Sequence, residues 1–482
     1  MLALPVVMLA RLALLLSAIA TVNAIATGTA PPISYYANVS NVNSLEERRV
    51  LATGVDTPFL HFLCNGTQSV AECGAHCVAF GNATYRCKSF TRFKPSGACL
   101  GHSDISWLPM TTDATRDAGL IDSGRVAWPC LNAGDCSMNG VCAADGECVC
   151  DAGWGGRQCG ELVLAPVDFE VLGFNPIANG SNMSSWGGGA WFAEGAWHLW
   201  ASRLDNHCGI ASYLLNSRVV HAVADTVTGP FTEAESVVPP FAHEPVIARA
   251  PNGSFVLMTV HGPLNGFAEC VCTDGTSRGC NGCNNSCHPA QPVLSVADAP
   301  GGPWRSSQVP PPVGPNSTAG HMENPSIWIT ATGALYGMGR GGMAAYASDW
   351  ANFATWSKTP PGGAHSFISG SNDCEDPFIY QDARGGFHAL MHLLEGPHYC
   401  QGLLCNVGVH AFSEDAIAWF FSGVAYTNAV NFTDGRSVQL VRRERPHLVF
   451  ASRTNLTPVA LINSAVWPNS GDRSFTLVQG VA

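Results

Sequence analysis

Charge is what this chain has least of. Only 12 % of its 482 residues are Asp, Glu, Lys or Arg, the net charge is −12, and lysine is scarce. No basic run exists, which excludes nucleic acid and anionic membrane surfaces as partners. Long amphipathic helices are missing too. With 51 glycines and 31 prolines, the composition points to a turn-rich, mostly β chain. After the first residues nothing approaches the roughly 18 consecutive apolar positions of a spanning helix, and no apolar tail suggests a lipid anchor. There is no phosphate loop, no G-x-S-x-G elbow and no H-E-x-x-H helix. No cofactor and no metal is expected.

What is present begins with a leader. Arg11 precedes the apolar run Leu12 to Ala20, and small residues follow to Val22-Asn23-Ala24. That is the layout of a secretory signal cleaved after Ala24, so the mature chain is expected to be secreted and extracellular. Twenty cysteines then read as a disulfide framework. Asn38, Asn65, Asn82, Asn179, Asn182, Asn252, Asn284, Asn316, Asn431 and Asn455 each head a glycosylation sequon, as expected of a glycoprotein.

Residues 55–128 hold Cys64, Cys73, Cys77, Cys87 and Cys99. Val70 to Cys77 has helix-former character, with two cysteines at i, i+4 on one face, and Tyr85 to Thr91 reads as a strand. This segment resembles a PAN/apple-like module. The resemblance implies binding of a glycan, or of a cell-surface or matrix protein. In residues 129–160, Cys130, Cys136, Cys142, Cys148, Cys150 and Cys159 are spaced C-x5-C-x5-C-x5-C-x-C-x8-C. The ending, Cys148 to Cys159 with Gly153-Trp154 and Gly156 inside, is similar to that of EGF-like modules. A unit of about thirty residues cannot bury enough core, so disulfides must staple it. The resemblance implies pairing of the first cysteine with the third, the second with the fourth and the fifth with the sixth. Arg125 to Pro129 stands where the calcium-binding variety carries acidic residues, so no calcium is expected here.

From residue 165 to about 475 a pattern recurs: an acidic or polar residue, Pro, an apolar strand, Gly, and a second apolar strand. Glu244-Pro245 leads to Gly253, Asn324-Pro325 to Gly333 and Asp376-Pro377 to Gly385, each glycine eight residues after its proline. Arg445-Pro446 heads a looser copy, and Trp186-Gly187 heads one at the front, with Gly187 at the proline position. Each copy is a β-hairpin signal, and a strand can begin with proline because nothing before it needs that ladder bond. Five copies predict a five-bladed β-propeller.

Ser184 to Gly188, Asn206 to Gly209, Glu375-Asp376-Pro377-Phe378, His410 to Asp415 and Arg442 to Pro446 together resemble family 43-like glycoside hydrolases of the arabinanase/invertase type. The resemblance implies a glycan pocket at one end of the channel and two carboxyl groups flanking a glycosidic bond. By position it puts the acid at Asp376 and leaves Asn324 where an aspartate is expected. At the position of the base it leaves Trp186, which cannot accept a proton. The candidate catalytic residues are Asp376, Glu375, Glu244 and Asp205, the last two as replacements for the base. Trp186, His207, His221, His243, Asn324, Arg443 and Glu444 are candidates for contact with a polysaccharide. The expected function is glycoside hydrolase-like; the alternative is a non-catalytic glycan-binding or adhesion protein.

Overall fold

The computed structural model describes residues 130, 132–176, 181, 183–261, 269–272, 291–308, 324–340, 344–357, 374–393 and 407–482, together with the strands Ile33–Ser40, Leu60–Cys64, Ser89–Phe93, Cys99–His102 and Thr111–Ile121. Those five strands form one sheet in which the first and last pair antiparallel. The strand expected at Tyr85 to Thr91 falls at Ser89–Phe93. The leader and the helix expected at Val70 to Cys77 lie outside the described residues.

Residues 130–162 form a small disulfide knot. Its bonds are Cys130–Cys142, Cys136–Cys148 and Cys150–Cys159, the pairing implied by the EGF-like resemblance. Trp154, Cys136, Cys159 and Leu162 are buried against Phe378, Tyr380, Leu390, Leu448 and Phe450 of the following domain. The Asp151 carboxylate accepts from Arg384 at 2.5 Å across the same boundary.

The following domain is a five-bladed β-propeller. Its first blade is Ser184–Ala193, Ala196–Leu204, Ser217–Ala224 and Thr232–Val238. The second is Ala242–Arg249, Phe255–His261, Gln291–Ala297 and Arg305–Gln308. The third is Ser326–Ile329, Leu335–Met338, Ala344–Ala347 and Trp356–Ser357. The fourth is Cys374–Gln381, Phe387–Leu393, Gly408–Ser413 and Phe420–Tyr426. The fifth has three strands, Arg442–Phe450, Pro458–Val466 and Ser474–Gly480.

The innermost strands of successive blades touch, and that of the fifth touches that of the first, so the ring is closed. The seam is sewn from the front of the domain. Ala165 N donates to Gly480 O at 2.9 Å, and Phe174 and Thr476 exchange backbone bonds at 2.9 and 3.0 Å. Residues 164–174 thereby edge the three-stranded fifth blade. Wholly buried leucines, valines and alanines fill the spaces between blades, as where Leu199, Val220, Ala222, Ala460, Ile462 and Val478 meet. Among the described residues no helix is long and apolar enough to cross a membrane.

The repeat read from the sequence has a backbone cause. Gly195, Gly253, Gly333 and Gly385 sit at φ +86°, +90°, +90° and +93° in the hairpin turns, where a side chain would be strained. At the other end of each inner strand the residue before the proline is left-handed as well: Glu244 at +58°, Asn324 at +50°, Asp376 at +53° and Arg445 at +50°. Proline gives no N–H to the ladder. In four of the five blades the pairing slips there, between 186 and 189, 243 and 246, 375 and 378, and 444 and 447. Such bulges re-aim a side chain.

Candidate functional site

In the first blade the left-handed residue at this slot is Gly187, at φ +57°. The structural counterpart of Glu244 and Asp376 is therefore Gly187, one position later than the alignment that put Trp186 there. Trp186 is 4 % exposed and packs with Leu204, Ile210 and Val466, and the Arg442 guanidinium lies 5.2 Å from its ring centre. It offers no open ring face to a sugar.

The re-aimed side chains converge. Asn324 Nδ2 donates to Glu244 Oε1 at 3.1 Å and to Asp376 Oδ1 at 2.5 Å. Arg445 Nη1 stands 3.1 Å from Glu244 Oε1 and 2.9 Å from Asp376 Oδ1. Arg445 also fills the space that Gly187 leaves: a Cβ there would lie 3.1 Å from its Cδ and 3.2 Å from its Nε. Blades two to five thus tie one knot on the axis, and blade one yields room for it. Glu244 and Asp376 are bridged by the same two nitrogens, so no glycosidic bond fits between them. Sequence reasoning placed Arg445 at the head of a looser copy of the repeat and gave it no role in the site. It occupies the same slot as the acids, and its place directly before Pro446 was the signal.

A second group lies beside the knot. Glu375, Asp376, His392 and Glu444 each bring a ligand-type atom within 4.8 Å of the others. Glu375 Oε2 is 3.4 Å from Arg340, and Glu444 Oε1 is 2.6 Å from Arg442 Nε. His392 Nδ1 is 3.5 Å from Glu375 Oε1, an ion-pair distance, and neither ring nitrogen of His392 has a hydrogen-bond partner. His392 was missed because it sits seventeen residues after Glu375. It lies directly opposite Glu375 across the strand pair.

Burial and charge push these groups apart. Burial raises the Asp376 carboxyl, Arg445 pulls it down, and Glu375 pushes it up again, leaving it above its ordinary value. Glu444 is raised, again first by burial. Burial also pushes Glu375 up, but His392, Arg340 and Arg442 outweigh it and hold the carboxyl low. Burial disfavours the His392 imidazolium, yet Glu375, Glu444 and Asp376 outweigh it and the pKa is raised. On the other side of Arg445, burial and the guanidinium charge keep His243 well below its ordinary value and His447 down at about 3.

The other candidates stand apart. Asp205 is buried in a separate network with Arg203 at 2.8 Å and with Arg218, and Arg203 also holds Glu233. None of those partners belongs to the axis knot. His207 is exposed on the loop after Asp205. His221 is buried in the first blade between His198, at 2.8 Å, and Glu235, at 3.1 Å. His243 Nδ1 is 2.7 Å from Ser217 Oγ. Arg443 is wholly buried and is a frame residue: it donates to Asn463 Oδ1, Gln479 Oε1 and the carbonyls of Thr427 and Ala429.

No protein-family model and no curated protein matches this chain. Solved structures do. A family 117 glycoside hydrolase of the marine bacterium Zobellia galactanivorans is 11 % identical with TM-score 0.43, over 66 % of this chain and 89 % of that one. The catalytic domain of a Coprinopsis cinerea family 62 α-L-arabinofuranosidase is 12 % identical with TM-score 0.41, over 67 % and 95 %. A family 43 β-xylosidase/α-arabinofuranosidase from a compost metagenome is 11 % identical with TM-score 0.40, over 67 % and 94 %. With TM-scores below 0.5, these likenesses carry no inference about the chemistry of this chain.

Proposed function

We propose that this chain is an extracellular, glycoside hydrolase-like propeller that acts on a polysaccharide through the carboxylates gathered at the start of its inner strands. One observation carries the reading. Glu375 and Asp376 are adjacent on the inner strand of the fourth blade, and their surroundings displace their pKa values in opposite directions. Carboxyl groups separated in this way divide into a proton donor and an ionised partner. Asp376 is then the acid. Glu375 is the partner that stabilises positive charge on the sugar or activates water. The EGF-like and PAN/apple-like segments in front would hold the propeller at a glycan-coated or matrix surface.

A second reading, binding without hydrolysis, is favoured by the first blade. Gly187 brings no carboxylate to the slot, and Arg445 occupies the space in front of it. One experiment separates the two. Purified secreted protein is assayed for reducing-sugar release on arabinan, xylan, galactan, fructan and mannan beside Asp376→Asn. Release that disappears in the variant supports hydrolysis. Retention of a glycan on an affinity gel without any release moves the assignment to binding.

A further inference from the structure

We propose that Arg249 and Arg453, at the end of the axis away from the carboxylate knot, form a site for one oxyanion, a carboxylate or sulfate group. The inner strands that begin at the knot finish here. Arg249 closes that of the second blade, Thr330 follows that of the third, and Arg453 stands in the turn after that of the fifth. Arg453 reaches across to the other two blades. Its Nη1 donates to Arg249 O at 2.6 Å and its Nη2 to Thr330 O at 3.3 Å. Two arginines from different blades are thereby tied together.

Their charges are not met by the fold. The Arg249 guanidinium lies over the Phe255 ring, 3.8 Å from its centre, and its Nη1 is buried without a hydrogen-bond partner. Other arginines at this end have acids: Arg384 holds Asp382 and Asp151, and Arg305 faces Asp298, which also accepts from Ser254 Oγ. Among the described residues, Arg249 and Arg453 pair with no carboxylate; the acceptors of Arg453 are the two carbonyls. Burial disfavours both guanidinium charges, and the Arg453 charge disfavours that of Arg249 further. A buried charged donor left unpaired is costly, and a like charge beside it adds to the cost. One anion relieves both. A guanidinium keeps its proton and presents a fork of N–H donors that matches two oxygens of a carboxylate or sulfate. The ring covers one face of Arg249 and leaves the donors along its edge. Arg453 has further N–H groups beyond the two that its carbonyls take.

The test titrates full-length secreted protein with sodium sulfate and with sodium acetate in a calorimeter at constant ionic strength. The expected result is saturable binding of one anion per chain, at least about tenfold weaker in Arg453→Met and in Arg249→Met. Arg249→Lys keeps the charge over the ring and removes the fork, so it serves if the methionine variants do not fold; it too should bind more weakly. Gels of sulfated dextran, carboxymethyl dextran and plain dextran then distinguish the sources of the anion. Capture on a charged gel alone, reversed by free sulfate and lost in the variants, makes it a group on an acidic polysaccharide. Saturable binding of the free ion without capture makes it a small anion, and the site stands. Two results overturn the proposal: no saturable binding of either anion by the wild type, or binding unchanged in a folded variant. Asp376→Asn, at the other end of the axis, should leave sulfate binding unchanged, whatever becomes of the hydrolase reading.

Discussion

Replacing Arg445 by methionine tests whether the axis knot holds the ring together. In the wild type one guanidinium serves two carboxylates, at 3.1 Å to Glu244 and 2.9 Å to Asp376. The Arg445 and Asp376 side chains are 7 % and 4 % exposed. Methionine fills much of the same volume and removes the charge. Breaking a buried pair from one side leaves an uncompensated charge and costs about 3–5 kcal/mol. For a domain of this size that is a fall in melting temperature on the order of 10 °C. The loss should depend on pH. Asp376 already has a raised pKa, so its contribution favours the folded state at low pH and is lost as pH rises through the folded value. Without Arg445 the carboxyl moves further up. The deficit of Arg445→Met is therefore largest at neutral pH and shrinks as the pH falls toward about 4. Urea unfolding at several pH values measures both effects. The double variant Arg445→Met/Asp376→Asn closes a cycle and should recover at least about 1 kcal/mol. A neutral-pH loss below about 1 kcal/mol, or a strictly additive double variant, would refute the reasoning.

Three further outcomes are expected. Asp382 is held at about 2, against burial, by His388, Arg384 and the Gly386 N–H; its stabilisation is complete above about pH 4 and lost as pH falls through about 2. Asp382→Asn should thus cost about 2 kcal/mol near neutrality and nothing in strong acid, as read from urea midpoints at both ends. Gly187→Ala forces a Cβ to 2.9 Å from Ser464 Oγ at φ +57°, and thermal unfolding should show a loss of about 1–3 kcal/mol. The Cys208–Cys272 bond closes a loop of 64 residues, so the double serine variant should lose about 4 kcal/mol in denaturant unfolding.

The propeller was legible because its blades share one piece of backbone chemistry. A proline at the head of the inner strand and a left-handed glycine eight residues later fix both ends of a hairpin, whatever apolar residues fill it. The first blade lacks the proline, and there the alignment slipped by one residue, from Gly187 to Trp186. A single-residue slip turns each side chain to the other face, so a core tryptophan was assigned to the pocket. Asp376, Glu375, Glu244, Asn324 and Glu444 could be read from the motif, since each holds or directly precedes the left-handed slot before a proline. Their partners could not. Arg445 heads a copy of the repeat in the sequence, but only its contacts with Glu244 and Asp376 show that it lies among the acids, and His392 reaches Glu375 only through cross-strand pairing. Arg443 was a candidate because it lies in the Arg442 to Pro446 motif; a cage of amide and carbonyl acceptors accounts for it instead.

The seam of the ring governs when this protein can fold during synthesis. The fifth blade takes its edge from residues 164–174 and its outermost strand from 474–480, some three hundred positions later. Four blades can emerge from the ribosome and stack as an open arc, with the flanks of the first and fourth still wet. The arc closes only when residues 474–482 are in hand, and every earlier intermediate exposes apolar blade faces and unpaired strand edges. The disulfide knot of residues 130–162 closes over short loops and can form early. It then waits for the surface it covers, because Leu448, Phe450 and Leu461 belong to the last blade made.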